Sequence, residues 1–275
     1  MNAQSGGDSA SLSGAARNPD FGSGPVVDLL LQGWTLNTNE GRLGFCGVTL
    51  INTGDQKILV DVAQVGRRPL ILERLAQRGL SPRDIDVVVM THTHWDHLLN
   101  ADLFEHAEFV VSRDERAYAR NPHPNDWATP LYTNAIIERL KVREVREGDR
   151  VAPGLTAIET PGHTVGSIAL LVDTSDGRIC VSGDALPHAR SIFTGMPAII
   201  FDTEEHARQS IAKIRDAAEM VYPGHDRPFR REPNGHVSYL VPSSITISGV
   251  VDEGMRELQV RLASEEPGPT WIMPR

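Results

Sequence analysis

Apolar positions along the chain fall into short runs punctuated by Gly, Asn, Asp and Pro. Val26 to Gly33, Phe45 to Asn52 and Lys57 to Val62 each read as a β-rich segment between turn signals. Three in succession predict an antiparallel opening meander. The period then changes: Leu70, Ile71, Leu75 and Ala76 fall at helical spacing between Pro69 and Arg78, with Pro in the first turn and Gly79 as the stop. Asp86 to Met90 contains Val-Val-Val, an unbroken apolar run that predicts a strand buried on both faces. It delivers the chain into the polar stretch Thr91 to His97.

A strand at Glu108 to Val111, a helix from Arg113 to Ala119, a polar loop from Arg120 to Pro130 and a helix from Tyr132 to Leu140 follow. The second half repeats the theme. Leu155 to Glu159, Ser167 to Val172 and Arg178 to Ser182 read as strands, and Thr203 to Ala218 as a helix capped by Asp202 or Thr203. The apolar run Met196 to Phe201 reads as core or as a pocket wall. Two strand groups, each followed by helices, predict two sheets packed face to face with helices outside. Residues 1–24, rich in Ser, Gly, Ala and Asn and without a charged-then-apolar leader pattern, read as a flexible tail. Residues 25–235 read as one domain, and 236–275 as an extension packed on it that adds an edge strand and a helix from Glu253 to Leu262.

Composition narrows the function classes. With 40% hydrophobic and 23% charged residues the chain is ordinary globular protein, and no apolar run approaches the roughly 20 residues that span a bilayer. No membrane contact is expected. The net charge of −9 repels phosphate backbones, and the short cluster Arg227, Arg230 and Arg231 does not offset it. Nucleic acid is therefore not an expected partner; a small molecule is, and a homodimer is allowed. Cys46 and Cys180 sit in apolar stretches and read as buried small hydrophobes, and their scarcity fits a cytoplasmic location.

The chemistry is concentrated in His92, His94, Asp96 and His97, an H-x-H-x-D-H pattern at a strand end. Four ligand-type side chains within six residues would be crowded at a desolvation cost unless cations offset it. Three further segments deliver a candidate ligand directly after Gly: Gly162-His163, Gly183-Asp184 and Gly224-His225. Glycine permits the torsions and the close approach that a crowded metal pocket needs.

This order of motifs resembles the metallo-β-lactamase superfamily over roughly Val26 to Arg230. The resemblance implies an α/β four-layer αββα sandwich in a single domain. It further implies that His92, His94 and His163 bind one metal, that Asp96, His97 and His225 bind a second, and that Asp184 bridges them. Zinc is the expected ion, with Mn, Fe or Co as alternatives. A metal-bridging hydroxide would be the nucleophile, with Asp96 passing a proton to the leaving group. His94 stands where flavo-diiron relatives carry Glu. Relatives usually show Asp-Thr-Gly at the end of the third strand, whereas Asp61-Val62-Ala63 keeps only the Asp. Asp61 reads either as an acceptor for a ligand imidazole or as a turn cap.

The stretch Glu108 to Glu115 with Asn121-Pro122-His123-Pro124 resembles the N-acyl homoserine lactonase-like and pyridoxolactonase-like branch. Pro187, followed by His188, stands where acyl-homoserine lactonases place a Tyr, a departure that speaks against that specificity. His188, His123, Trp127 and Tyr132 are candidate pocket residues, while His106, His206 and His236 read as solvent-facing. The expected reaction is cleavage of a lactone or ester. The alternatives are a thioester hydrolase like glyoxalase II, a β-lactam or phosphodiester hydrolase, or a mononuclear-iron sulfur dioxygenase-like enzyme.

Overall fold

The computed structural model describes residues 24–38, 41–242 and 271–274. The tail before Gly24 and the expected helix from Glu253 to Leu262 lie outside these residues. In chain order the first half forms β1 (Val26–Leu31), β2 (Trp34–Thr38), β3 (Gly41–Phe45), β4 (Val48–Asn52), β5 (Lys57–Val60), α1 (Arg68–Ala76), β6 (Val87–Val89), α2 (Trp95–Leu98), β7 (Glu108–Ser112), α3 (Arg113–Arg120), α4 (Leu131–Ile137) and β8 (Val142–Val145). The second half forms β9 (Arg150–Ala152), β10 (Leu155–Glu159), β11 (Ile168–Thr174), β12 (Gly177–Gly183), α5 (Ser191–Thr194), β13 (Ile199–Ile200), α6 (Glu204–Ala217), β14 (Met220–Pro223), β15 (Phe229–Arg231), β16 (Val237–Tyr239) and β17 (Trp271–Ile272).

One sheet runs β1-β4-β5-β6-β7-β8, antiparallel at its start and parallel from β5 onward. The other runs β16-β15-β14-β12-β11-β10-β9, with β12 and β14 parallel. The Val-Val-Val strand shows why they stack. Successive side chains of a strand point to opposite faces, so Val87 and Val89 join Ile58, Val60, Leu170 and Val181 between the sheets. Val88 points outward to a core shared with Ile71 and Leu75 of α1, Leu98 of α2 and Phe104. A third core packs Cys180, Val221 and Phe229 of the second sheet against Ile214 of α6. Helix, sheet, sheet, helix is the αββα order expected.

Thr203 caps α6, its Oγ1 accepting from the His206 amide at 3.1 Å. The run expected as one strand from Phe45 to Asn52 is split: Phe45 ends the β2–β3 hairpin, and the sheet strand starts at Val48. No helix among the described residues is long and apolar enough to cross a membrane. Cys46 and Cys180 are free and fully buried, and burial pushes the Cys180 thiol up to about 12. His106, His206 and His236 are exposed.

Candidate metal centre

The first ligand loop leaves β6 and is turned by Asp61. That carboxylate accepts from the Thr91 amide at 2.9 Å, the Thr91 hydroxyl at 2.8 Å and His97 Nδ1 at 2.8 Å. Asp61 thus serves as the acceptor for an imidazole while it shapes the loop. It adopts φ 59° and Ala63 φ 57°, the left-handed region that costs most side chains about 1–2 kcal/mol. Ala63 bears this strain without glycine's freedom.

The other candidates arrive at the ends of β10, β12 and β14, on the same rim of the sandwich. Gly183 has φ 50°, and a Cβ there would lie 2.4 Å from Thr91 Oγ1. At Gly224 a Cβ would lie 2.0 Å from Asp184 Oδ1. These two junctions need glycine, one for its torsion and its space, the other for its space.

Three groupings of side-chain atoms, each within 4.8 Å of one another, result: His92, His94 and His163; His92, His97 and Asp184; Asp96, His97 and His225. The outward nitrogens are engaged. His97 Nδ1 meets Asp61, His163 Nδ1 meets the Ile199 carbonyl at 2.9 Å, His225 Nδ1 meets the Trp34 carbonyl at 3.2 Å, and His94 Nε2 meets Asp126 at 3.2 Å. Such partners fix which nitrogen keeps its lone pair. The inward atoms are left short: His92 Nε2 is buried without a hydrogen-bond partner, and so are His97 Nε2 and Asp184 Oδ1, which face each other at 3.4 Å without hydrogen-bond geometry. Orphaned buried polar atoms are costly and rare, so three converging on one point fit a cation site.

Electrostatics agree. Burial, followed by the neighbouring His94, brings His163 down to about 4, and burial with the adjacent imidazoles holds His92 well below the ordinary imidazole range. Both stay neutral at neutral pH, as ligation requires. Burial would lower His94 and His225 too, yet Asp126 raises the first and Asp184 with Asp96 the second. The carboxylates and imidazoles therefore hold protons between them until something displaces those protons.

Two supporting carboxylates were not foreseen. Glu115, fully buried in α3, accepts from the Thr93 amide and hydroxyl at 2.8 Å each, the Thr164 hydroxyl at 2.7 Å and the Gly166 amide at 3.2 Å. It ties the H-x-H loop to the His163 loop. Asp126 accepts, besides His94, from Tyr118 at 2.8 Å, Thr129 Oγ1 at 2.7 Å and the Ala128 amide at 2.8 Å. Within the sequence, Glu115 reads as first-turn acid of a helix and Asp126 as a loop residue.

Around the cluster, Phe201 is buried and lies edge-on to His94 at 5.6 Å between ring centroids, with His163 and His123 each at 6.0 Å and Trp127 at 5.6 Å. The Met196 to Phe201 run thus ends in core packed against the cluster. His188 stands 6.5 Å from the His225 ring and pairs with Thr35 Oγ1 at 2.8 Å; burial brings it down to about 4. Tyr132, on α4, is half exposed and joins none of the ring contacts among the described residues. The β2–β3 hairpin lies against the other side: a Cβ at Gly44 would sit 3.5 Å from His225 Cε1 and 3.6 Å from Asp96 Oδ2.

Comparison with known proteins agrees with this geometry. The model of the Metallo-beta-lactamase superfamily matches residues 41–225. A metallo-beta-lactamase domain-containing protein 1 from Xenopus laevis is 32% identical over 218 residues, covering 79% of this chain and 86% of that protein. An N-acyl homoserine lactonase from Bacillus sp is 25% identical over 225 residues, covering 76% and 86%. The solved structure of an N-acyl homoserine lactone hydrolase with N-hexanoyl-L-homoserine bound at its catalytic metal centre superposes with a TM-score of 0.59 at 21% identity, covering 74% of this chain and 93% of that one. The matched span contains every residue of the cluster, and the chain is a metallo-hydrolase that belongs to the metallo-β-lactamase superfamily.

Proposed function

We propose that this hydrolase holds two divalent ions and opens a lactone or ester of a small molecule. One ion is assigned to His92, His94 and His163, the other to Asp96, His97 and His225, with Asp184 between them. The observation that carries the reading is the convergence of three orphaned buried atoms, on His92, His97 and Asp184, inside a cluster whose outward nitrogens are engaged. Mixed imidazole and carboxylate donors suit zinc first, then Mn, Fe or Co. When bound, two such ions supply Lewis acidity for a carbonyl oxygen and, by lowering a water's pKa toward about 7, a hydroxide at neutral pH.

The chain's own groups supply the rest. Asp96 Oδ2, 3.4 Å from His225 Nε2 and 8% exposed, is placed to hold a proton and return it to the leaving alkoxide. Asp61, Asp126 and the Ile199 carbonyl fix the tautomers, so the imidazoles need no reorganisation as the reaction proceeds. Phe201 and Trp127 offer an apolar wall, and His188, neutral at working pH, offers a polar edge on the opposite side. A neutral substrate fits an acidic chain. In a cleft of about 450 Å³ elsewhere, lined in part by Arg230 and Arg231, Arg230 pairs with Glu219 and Arg231 donates to the Arg215 and Ala218 carbonyls. That cleft offers no free basic track for a polyanion. The kinship to N-acyl homoserine lactonases supports the lactone.

The test is a hydrolysis screen of lactones, esters, thioesters, cephalosporins and phosphodiesters on metal-reconstituted protein. Lactone or ester turnover is expected to dominate. Phosphodiester or thioester cleavage without lactone or ester turnover in the same preparation would overturn the assignment.

A further inference from the structure

Strand β17 lies far along the chain from the motif region, yet it pairs in parallel with β13, Ile199 opposite Trp271 and Ile200 opposite Ile272. The Met273 amide extends the ladder, donating to the Ile200 carbonyl at 3.0 Å. Among the described residues β13 pairs with no other strand. A two-residue strand has little stability of its own, since isolated two-stranded pairings are marginal in water.

Consecutive carbonyls of β13 have different duties. That of Ile200 faces β17, whereas that of Ile199 accepts from His163 Nδ1 at 2.9 Å. The amide of Phe201 returns a hydrogen bond to the His163 carbonyl at 3.0 Å, so the ligand loop hangs at two points on β13 and the residue that follows it. One residue beyond Met273, the Pro274 carbonyl accepts from Asn125 Nδ2 at 2.7 Å. Its neighbour Asp126 holds His94 Nε2. The same four residues therefore pair with the strand that supports His163 and reach the residue beside the support of His94. The other half of the cluster hangs elsewhere: His97 on Asp61, and His225 on the Trp34 carbonyl.

We infer that residues 271–274 are a brace that positions His94 and His163 for one ion and leaves the Asp96, His97 and His225 site to independent supports. The inference rests on the two-ion reading above. It makes Asn125 and Met273 positioning residues although neither touches the cluster. It also gives the outlying segment a role in the metal centre that neither its sequence nor its distance along the chain signals.

The test is a cobalt(II) titration of the full chain, followed by visible absorption and by competition with a chelator. The variants are Asn125→Ala, which removes the amide donor, and Met273→Pro, which removes the N–H that bonds Ile200. The parent should take up two equivalents. The double variant should keep one ion at parental affinity and bind the other about tenfold more weakly, the lower end of the cost for supports behind metal ligands. Asn125→Gln, which retains an amide donor, should recover part of the loss. Unchanged binding of both ions would overturn the brace, and so would equal weakening of both, the signature of general loosening. A parent that holds a single cobalt would overturn the two-ion reading instead; the brace would then stand if Asn125→Ala and Met273→Pro weaken that ion, and fall if they do not.

Discussion

Glu115→Gln removes one charge with almost no change in shape, yet the hydrogen bonds around it leave the amide no satisfactory orientation. Each carboxylate oxygen serves one backbone N–H and one hydroxyl: Thr93 N and Oγ1 on one side, Gly166 N and Thr164 Oγ1 on the other. The hydroxyls can rotate to accept from a side-chain NH2. The backbone amides cannot, so whichever way Gln turns, one buried N–H loses its partner, at about 1–3 kcal/mol. Relief from burying the charge offsets part of this, and loss of charge assistance at the surviving bonds adds to it. The packing leaves no slack, since a Cβ at Gly166 would lie 1.9 Å from the Glu115 amide. We expect a net loss of about 2 kcal/mol, read as a lower urea midpoint at unchanged slope in metal-free protein, which separates loop tethering from ligand effects. Loaded protein should also bind metal more weakly, because both ligand loops are released together. A midpoint that implies less than about 0.5 kcal/mol would refute the reasoning, being the size expected of a surface change.

Asp61→Asn should lower metal affinity about 10 to 100-fold in a competition titration while sparing stability, because Asn tolerates the left-handed backbone but blurs the His97 tautomer. Asp61→Ala should in addition cost about 2 kcal/mol or more of stability, because left-handed backbone strain adds to the orphaning of the buried Thr91 N–H, and equal stability of the two variants would contradict this. Metal uptake should release protons. His94 and His225 lie above the ordinary imidazole value in the empty cluster, so at about pH 6.5 they still carry protons that a cation displaces, and affinity should fall as pH drops through that range. An indicator in weak buffer should record acid release near pH 6.5, and none there would refute the sign. Gly224→Ala places a methyl on Asp184 and should empty the site of metal in elemental analysis while the far-UV circular dichroism stays native; full occupancy would show that the junction can yield.

What the sequence disclosed and what it hid have a common physical origin. Each candidate ligand follows a strand end by no more than eight residues, and three come directly after glycine, so the cluster was legible from local pattern. The β6 run declared itself because a strand between two cores must be apolar on both faces. Glu115 and Asp126 stayed hidden because their partners lie up to 51 residues away, and locally Glu115 looks like an acid placed for the dipole of α3 behind the Ser112 cap. The β2–β3 hairpin escaped because Asn, Thr and Gly dilute its strand signal. The β8 and β9 edges escaped because Arg143, Glu144 and Arg150 break their apolar runs. The β13–β17 pairing involves two residues on each side, too few for any periodicity to register.

The central claim is that two ions act together on a lactone or ester, and stepwise reloading of chelator-stripped protein tests it most directly. Zinc is added in fractions of an equivalent, with bound metal and lactone or ester hydrolysis measured on the same samples. The account predicts a rate that stays low through the first equivalent, rises with the second and levels off at two ions per chain. A rate that saturates at one ion per chain, or fully loaded protein that turns over no lactone or ester, would contradict it.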